Sequence, residues 1–236
     1  MTANIALRKT SLTDYPGRVS SVIFFPGCNL RCPWCHNREL VLGTAPLISL
    51  DEGLAHIRKR KPVLGGVVLS GGEPCLYSEL GALIREIKKL SLPVKLDTNG
   101  MCPDMLERLF SDRETSPDYI ALDLKIAPNR YVELLPGSTP SGENSFNPCE
   151  ALIQSAALIR ESGISHEYRS LALPSGFGPK DIEALAPLTG DAPWYFRPFH
   201  GGNCLDPSWD SLEENAEEAS SRAEALAKEV REQKKN

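Results

Sequence analysis

Strand and helix signals alternate along this chain, and the alternation restricts the fold more than any other feature. Apolar residues at helical spacing separate the β-rich runs. Those runs lie at residues 18–25, 63–69, 93–96, 119–124, 167–173 and 194–199. Strands that alternate with helices of this length form βαβ units and a parallel sheet. Six such units predict an α/β fold, a partial, TIM-like (β/α)6 barrel with mostly parallel strands and an added C-terminal helix.

Capping residues mark two of the predicted helices. Ser49 and Glu52 make a capping box, and Asn147 followed by Pro148 predicts the start of a later helix. Before that later helix, residues 127–146 are rich in proline, glycine, serine and asparagine. This connection is longer than the ~2–6 residues usual between a strand and its helix. The sequence leaves open whether it is a mobile lid over the barrel or a passive insertion.

The last part of the chain predicts an amphipathic helix. Its small and apolar residues recur in steps of four and three, with acidic residues early and basic residues late. They are Leu212, Ala216, Ala219, Ala223, Leu226 and Val230. An alanine-rich seam is shallow and too short for a free coiled coil, so we expect this helix to pack against its own barrel. We therefore divide the chain into a barrel at 1–205 and a C-terminal helix at 206–236.

Three cysteines follow the first predicted strand in the pattern C-x3-C-x2-C. They are Cys28, Cys32 and Cys35. A cubane iron–sulfur cluster normally takes four thiolates, so three from one loop would leave the fourth iron open for a ligand that is not protein. Catalytic zinc sites keep an open position in the same way. The spacing therefore favours a [4Fe-4S] cluster with one open iron, with these cysteines as its ligands and as the catalytic centre.

Two other interpretations of the cysteines stay open. A zinc knuckle would need a fourth ligand, but the only histidine in the loop, His36, directly follows Cys35, and neighbouring side chains rarely converge on one ion. Cys32 and Cys35 are separated by two residues, so they could instead form a redox dithiol. That interpretation leaves Cys28 without a purpose.

Polar motifs follow the ends of the predicted strands, which is the edge where parallel barrels carry their active site. Each motif also has a purely structural interpretation. Glycines and Asn-Gly pairs commonly form turns. A lysine–aspartate pair on one face of a strand can serve only to stabilise the fold. A single histidine is more often an ordinary side chain than a ligand-binding one. The candidate residues are Gly71, Gly72, Glu73, Asp97, Thr98, Asn99, Asp123, Lys125, Arg169 and His200.

The cysteine pattern, with an aromatic residue before its last cysteine, resembles the signature of the radical S-adenosylmethionine (SAM) superfamily. The sequences Thr-Asp-Tyr-Pro-Gly at 13–17, Pro-Gly-Cys-Asn at 26–29 and Cys-His-Asn at 35–37 resemble those of the activating enzymes of glycyl-radical enzymes. Within that group the chain is most similar to the longer type of anaerobic ribonucleotide reductase activating protein. The similarity extends from about Ile5 to about His200.

The resemblance implies how SAM is bound. The Gly71-Gly72-Glu73 motif would grip its methionyl amino group, and Lys125 with His200 would face its carboxylate. The other implied cofactor-binding residues are Asp97, Thr98, Asn99 and Asp123 along the cosubstrate, Arg169 on its ribose side, and Trp34 and His36 where the family holds adenine through the backbone. A monovalent cation among Asp97, Thr98 and Asp123 is a further option that the resemblance allows.

The resemblance also implies an oxidoreductase activity. Reductive cleavage of SAM at the cluster would give a 5′-deoxyadenosyl radical, which would abstract hydrogen from a glycine of a partner enzyme. The implied partner is anaerobic ribonucleotide reductase, with flavodoxin or ferredoxin as electron donor. Two alternatives stay open: a radical SAM enzyme that acts on a small molecule, and a zinc-binding interaction module without enzymatic activity.

Charge and composition exclude several other classes of partner. A formal net charge of −5 gives no broad basic field, so we expect neither nucleic acid nor an anionic membrane surface as a partner. The N-terminus lacks a signal-peptide core, and no segment approaches the ~18 apolar residues of a membrane span. Seven cysteines, an odd number with three clustered, argue against a disulfide framework. We therefore expect a cytoplasmic protein.

Overall fold

The computed structural model describes residues 3–137, 146–212 and 215–233. Within these residues eight strands form one sheet, in the order β3-β1-β2-β4-β5-β6-β7-β8. The strands are β1 (Asn4–Tyr15), β2 (Arg18–Phe25), β3 (Ile48–Ser49), β4 (Gly66–Gly71), β5 (Val94–Thr98), β6 (Tyr119–Asp123), β7 (Ser165–Ala172) and β8 (Trp194–Pro198). The two ends of the sheet do not pair with each other, so the barrel is open.

The helices alternate with these strands. They are α1 (Arg38–Leu42), α2 (Leu50–Arg60), α3 (Leu80–Lys88), α4 (Pro103–Phe110), α5 (Pro148–Glu161), α6 (Pro179–Thr189) and α7 (Ala216–Gln233). Short 3-10 turns lie at Lys61–Val63, Pro74–Leu76, Pro128–Leu134 and Pro207–Trp209. In the part of the chain that the structure describes, none of the helices has the length and apolar character needed to cross a bilayer.

Six of the strands, β2 and β4 to β8, run parallel, which confirms the predicted α/β fold and partial barrel. The antiparallel strands β1 and β3 extend one edge of the sheet and were not predicted. Strand β1 escapes sequence analysis because most of its side chains are exposed or half-buried and its pairing with β2 shifts register twice. It therefore lacks the apolar alternation that identifies a half-buried strand.

Local capping chemistry is confirmed where it was predicted. The Ser49 hydroxyl accepts a hydrogen bond from the Glu52 N–H at 3.2 Å, and the Glu52 carboxylate accepts one from the Ser49 N–H at 2.9 Å. At the start of α5, the Asn147 side chain accepts hydrogen bonds from two backbone N–H groups. The predicted strand at 63–69 starts later, at Gly66, because the chain first continues from α2 into a 3-10 turn.

Helix α7 packs against α6 and β8 of the barrel. The Ser220 hydroxyl donates to the Phe196 carbonyl at 2.7 Å, and the Arg231 guanidinium donates to the Thr189 hydroxyl at 3.0 Å. The prediction that Leu212 belongs to the apolar stripe is wrong, since Leu212 lies before the helix and is exposed. The division of the chain at residue 205 stays a prediction.

The connection predicted at 127–146 is partly structured. Residues 128–134 form a 3-10 helix in which Tyr131 and Leu134 are buried. The Leu134 carbonyl accepts a hydrogen bond from the Arg31 N–H at 2.7 Å, so this helix supports the cysteine loop. Residues 138–145 lie outside the described part of the chain, and the interpretation of this connection as a lid rests partly on them.

Candidate active site

A cavity of about 250 Å³ lies at the carboxyl ends of the parallel strands and collects all but one of the predicted site residues. They are Cys28, Cys32, Trp34, Cys35, His36, Gly71, Gly72, Glu73, Asp97, Thr98, Asn99, Asp123, Lys125 and Arg169. The lining also includes five residues that were not among the predicted site residues, namely Leu30, Asn37, Val41, Ser70 and Leu171. Asn37 belongs to the Cys-His-Asn sequence at 35–37 and Ser70 directly precedes Gly71, and these positions were the signal available for them.

The exception is His200, which is exposed and does not line the cavity. Strand β8 ends at Pro198, and the next side chain, Phe199, is buried and stacks on His36 with ring centroids 5.6 Å apart. Phe199 takes the inward position, and His200 lies in solvent. The predicted role of His200 at a carboxylate therefore has no support from the position of its side chain.

The cysteine loop is held closed by its own backbone and by neighbouring side chains. The Cys35 N–H donates to the Cys32 carbonyl at 3.0 Å. The Arg31 guanidinium donates to the Cys28 carbonyl at 2.7 Å, and the Asn37 amide donates to the Gly71 carbonyl at 2.9 Å. These contacts direct the three cysteines into the same cavity.

Burial keeps the thiols of Cys28 and Cys32 neutral in the metal-free chain. It raises the pKa of Cys28 above its usual value and raises the pKa of Cys32 to about 12. Metal ligands must be thiolates, so cluster binding has to release these protons. Within the described residues, no three histidine, cysteine, aspartate or glutamate side chains are arranged to hold a single metal ion. A cubane cluster makes a different demand, because each cysteine binds a separate iron.

The two glycines of the Gly71-Gly72-Glu73 motif are required by contact with the cysteine loop. Gly71 has a φ of +124°, and a Cβ there would lie 2.4 Å from the Phe25 nitrogen. A Cβ on Gly72 would lie 1.7 Å from the Gly27 carbonyl oxygen. The Glu73 N–H donates to that same carbonyl at 2.9 Å. The close approach of these glycines is thus to protein backbone, and it joins the end of β4 to the cysteine loop.

Glu73 is buried and bonds to three donors of the protein. Its carboxylate accepts hydrogen bonds from the Cys75 N–H at 2.9 Å, the Thr98 hydroxyl at 2.9 Å and the Asn99 N–H at 2.7 Å. Burial raises the pKa of Glu73 above its ordinary value, although these donors act in the opposite direction. The carboxylate therefore ties the turn after β4 to the end of β5, and its predicted contact with an ammonium group stays a prediction.

Charged side chains from β5, β6 and β7 form a continuous network along the cavity. Lys95, which the sequence analysis did not single out, pairs with Asp97, and Arg169 reaches the other Asp97 oxygen at 3.4 Å. Arg169 also contacts Asp123 at 2.9 Å, and Lys125 lies 3.4 Å from Asp123. Burial acts to raise the pKa of Asp123, but Arg169 and Lys125 outweigh it and hold that pKa below its usual value. The network has one more cation than carboxylates.

We expect replacement of Lys95 by methionine to destabilise the fold by about 3 kcal/mol, because removing one partner of a buried ion pair leaves an undercompensated charge. Lys95 is 1 % exposed, and the Lys95→Met variant leaves Asp97 with Arg169 as its remaining cation. Urea unfolding of the metal-free protein measures the change.

Lys88→Met is the matched control for this change. Lys88 pairs with Asp118 at 3.5 Å on the surface, where ion pairs contribute less than about 1 kcal/mol. Equal unfolding midpoints for the Lys95→Met, Lys88→Met and unchanged proteins would contradict a stabilising role for the buried pair.

The segment after β8 covers the outer side of the cysteine loop, which the sequence did not predict. Trp209 packs on Trp34 with ring centroids 5.2 Å apart and on Phe199 at 5.9 Å. The Asp206 N–H donates to the Pro33 carbonyl at 2.9 Å. These contacts join residues far apart in the sequence, so no local sequence pattern predicts them. They reduce the access of water to the buried side of Trp34.

Comparison with known proteins identifies relatives of the chain. The sequence model of the radical SAM superfamily matches residues 22–186. A protein of Methanocaldococcus jannaschii described as "Putative glycyl-radical enzyme activating enzyme" is 30 % identical over 204 residues, 86 % of this chain and 82 % of that protein. The pyruvate formate-lyase-activating enzyme of Staphylococcus aureus is 34 % identical over 132 residues, which span 51 % of this chain and only 52 % of that enzyme.

A solved structure shares the fold. SuiB of Streptococcus suis, bound to the precursor peptide SuiA, superposes on this chain with a TM-score of 0.65 at 15 % sequence identity. The aligned region covers 91 % of this chain and 46 % of the SuiB chain. Three cysteine thiols and a polar lining at one cavity provide the donors that a cluster with one open iron requires. The chain therefore belongs to the radical SAM superfamily, whose cofactors are a [4Fe-4S] cluster and SAM, and within it to the glycyl-radical enzyme activating enzymes.

Proposed function

We propose that this radical SAM enzyme activates anaerobic ribonucleotide reductase by abstracting the Cα hydrogen of one glycine. The observation that carries the proposal is the cavity where three cysteines meet charged side chains from three neighbouring strands. The relatives named for glycyl-radical enzyme activation support the class of partner. The resemblance of residues 13–17, 26–29 and 35–37 supports the reductase as the particular partner.

The cysteines would bind the cluster, and the charged network would bind SAM. Cys28, Cys32 and Cys35 would hold three irons of the cluster and leave one iron without a protein ligand. When bound, the reduced cluster would supply one electron to the sulfonium of SAM, which would release methionine and provide the 5′-deoxyadenosyl radical that takes the hydrogen atom. The protein supplies position and the exclusion of water.

The positive charge of Lys125 suits a ligand that carries a carboxylate. Lys125 lines the cavity, and although burial acts to lower its pKa, Asp123 and smaller contributions from neighbouring groups together outweigh burial and raise that pKa, so Lys125 stays charged. Arg169 would reach the ribose side, and Asp97 and Asp123 would accept hydrogen bonds along the ligand. Thr98, whose hydroxyl is already bonded to Glu73, would help to place any monovalent cation beside these carboxylates.

The remaining parts of the cavity would hold the adenine and keep solvent out. Trp34 and His36 would place their backbone groups against adenine, while Trp209 and Phe199 cover the loop from outside. We further propose that flavodoxin or ferredoxin reduces the cluster and that the protein works in the cytoplasm. A partner glycine would enter through the opening of the barrel.

The decisive experiment mixes the reconstituted, reduced enzyme with purified anaerobic ribonucleotide reductase and SAM under anaerobic conditions. We expect a glycyl-radical doublet in electron paramagnetic resonance (EPR), together with 5′-deoxyadenosine. The matched control is a reductase in which the glycine of its C-terminal radical segment is replaced by alanine, which should give no doublet. Formation of 5′-deoxyadenosine without a doublet in the unchanged reductase would contradict this choice of partner, and a doublet in another glycyl-radical enzyme would identify the correct one.

A further inference from the structure

The sulfur of Cys28 differs from the other two cluster sulfurs in the hydrogen bonds that it accepts. The Leu30 N–H donates to it at 3.4 Å, and the side-chain amide of Asn99 donates to it at 3.6 Å. In residues 3–137, 146–212 and 215–233, the sulfurs of Cys32 and Cys35 have no such donor. The three cysteines thus offer an asymmetric environment to a bound cluster.

The orientation of the Asn99 amide is fixed by its neighbours. Its Oδ1 accepts a hydrogen bond from the Met101 N–H at 2.9 Å, so its Nδ2 must face the opposite way. There Nδ2 also donates to the Asn29 Oδ1 at 2.8 Å, beside the Cys28 sulfur. Asn99 is buried, and its two amide protons are therefore directed at one oxygen and one sulfur.

The backbone of the same residue restrains a negative charge near the cysteine. The Asn99 N–H donates to the Glu73 carboxylate at 2.7 Å, which holds this residue in place beside the cysteine. Asn99 thus places its backbone N–H on the carboxylate and a side-chain N–H on the sulfur. The hydrogen bond to the sulfur stabilises negative charge where a reduced cluster would gain it.

We propose that Asn99 is a positioning residue that sets the reduction potential of the cluster through the sulfur of Cys28. The proposal rests on the cluster of the proposed function and extends it to a residue that touches neither iron nor reacting atoms in this role. Hydrogen bonds to cluster sulfurs are among the factors that set the potential. An N–H donor stabilises the more negative, reduced state, and its removal makes the potential more negative.

The test is a redox titration of the reconstituted Asn99→Leu protein without SAM and without a partner enzyme. The EPR signal of the reduced cluster measures the fraction of protein that is reduced at each potential. Leucine has the same branching and number of heavy atoms as asparagine and removes the donor. At a fixed solution potential near the midpoint of the unchanged protein, we expect the ratio of reduced to oxidised cluster to fall about tenfold, equivalent to about 59 mV for one electron. An unchanged potential in a fully loaded Asn99→Leu protein overturns the proposal.

Two further variants keep the test decisive. Asn99→Ala removes the same donor without crowding the site, so it must shift the potential in the same direction, and it decides the matter if Asn99→Leu takes up no cluster. Asn215→Leu removes an exposed amide that donates to the Glu218 carboxylate at the start of α7, outside the residues that line the cavity. We expect the Asn215→Leu potential to stay unchanged, and an equal shift in this control overturns the assignment to Cys28.

Failure of the proposal is distinguishable from failure of the proposed function. Iron and sulfide analysis of the unchanged protein tests the cluster itself, and the reductase experiment tests the partner. A shifted potential in both Asn99 variants with no glycyl radical on any partner would leave the role of Asn99 intact and contradict only the proposed substrate.

Discussion

Replacement of Cys32 by alanine is expected to abolish both cluster binding and cleavage of SAM. Two thiolates from the loop would remain, and a cluster whose fourth iron must stay open cannot lose another ligand. We expect the rate of 5′-deoxyadenosine formation to fall by more than ~100-fold, since even residues that only orient metal ligands cost 10–100-fold when replaced. The measurements are iron and sulfide content, visible absorption and 5′-deoxyadenosine formation with dithionite as reductant.

Cys149→Ala is the matched control for this replacement. Cys149 lies in the first turn of α5, and it is not among the residues that line the cavity. We expect this variant to bind the cluster and cleave SAM like the unchanged protein. A Cys32→Ala protein that keeps its full cluster content and its cleavage rate would remove the cysteine loop from the site and return the zinc and dithiol interpretations to consideration.

The parts of the fold that were predictable are those with a local physical cause. Strand β2 matches its prediction residue for residue because β-branched and aromatic residues at 22–25 favour a strand that packs into the sheet. The starts of α2 and α5 follow from side chains that satisfy the first free N–H groups of a helix. The gathering of the site residues follows from topology, since the carboxyl ends of parallel strands meet at one edge.

The parts of the site that were not predicted depend on contacts between residues far apart in the sequence, or on which side of the sheet a side chain at the end of a strand faces. Lys95 lies two residues before Asp97 on β5 and therefore on the same face, but it belongs to no motif, and a lysine is almost never fully buried unless it is paired. Trp209 covers Trp34 from the far end of the chain. His200 lies outside the cavity because one residue at the end of β8 separates an inward position from an outward one.

Gly71 and Gly72 line the cavity, but the contact that requires glycine there differs from the expected one. A ligand was the expected neighbour of these glycines, because glycine permits close approach of backbone to another group. The structure shows that the group is the backbone at Phe25 and Gly27, at the start of the cysteine loop. The Gly72 N–H donates to the Phe25 carbonyl at 2.8 Å, which fixes the distance between the two segments. The motif therefore holds the cysteine loop in place whether or not a ligand is bound.

This contact predicts that Gly72→Ala destabilises even the metal-free protein, by more than about 4 kcal/mol, a loss that is exceptional for one substitution. The added Cβ would lie 1.7 Å from the Gly27 oxygen and 2.5 Å from the Gly27 carbonyl carbon, and rotation of a side chain cannot relieve an overlap with backbone. Urea unfolding without iron measures the change.

Gly178→Ala provides the control, because a Cβ at Gly178 would meet nothing within 4 Å. Gly178 precedes α6 as its N-cap, where alanine in place of glycine costs at most ~1 kcal/mol. A Gly72→Ala protein as stable as Gly178→Ala, but unable to bind SAM, would show that the ligand and not the cysteine loop requires glycine at this position. Loss of stability in Gly72→Ala alone would instead establish that these glycines build the site before any cofactor enters it.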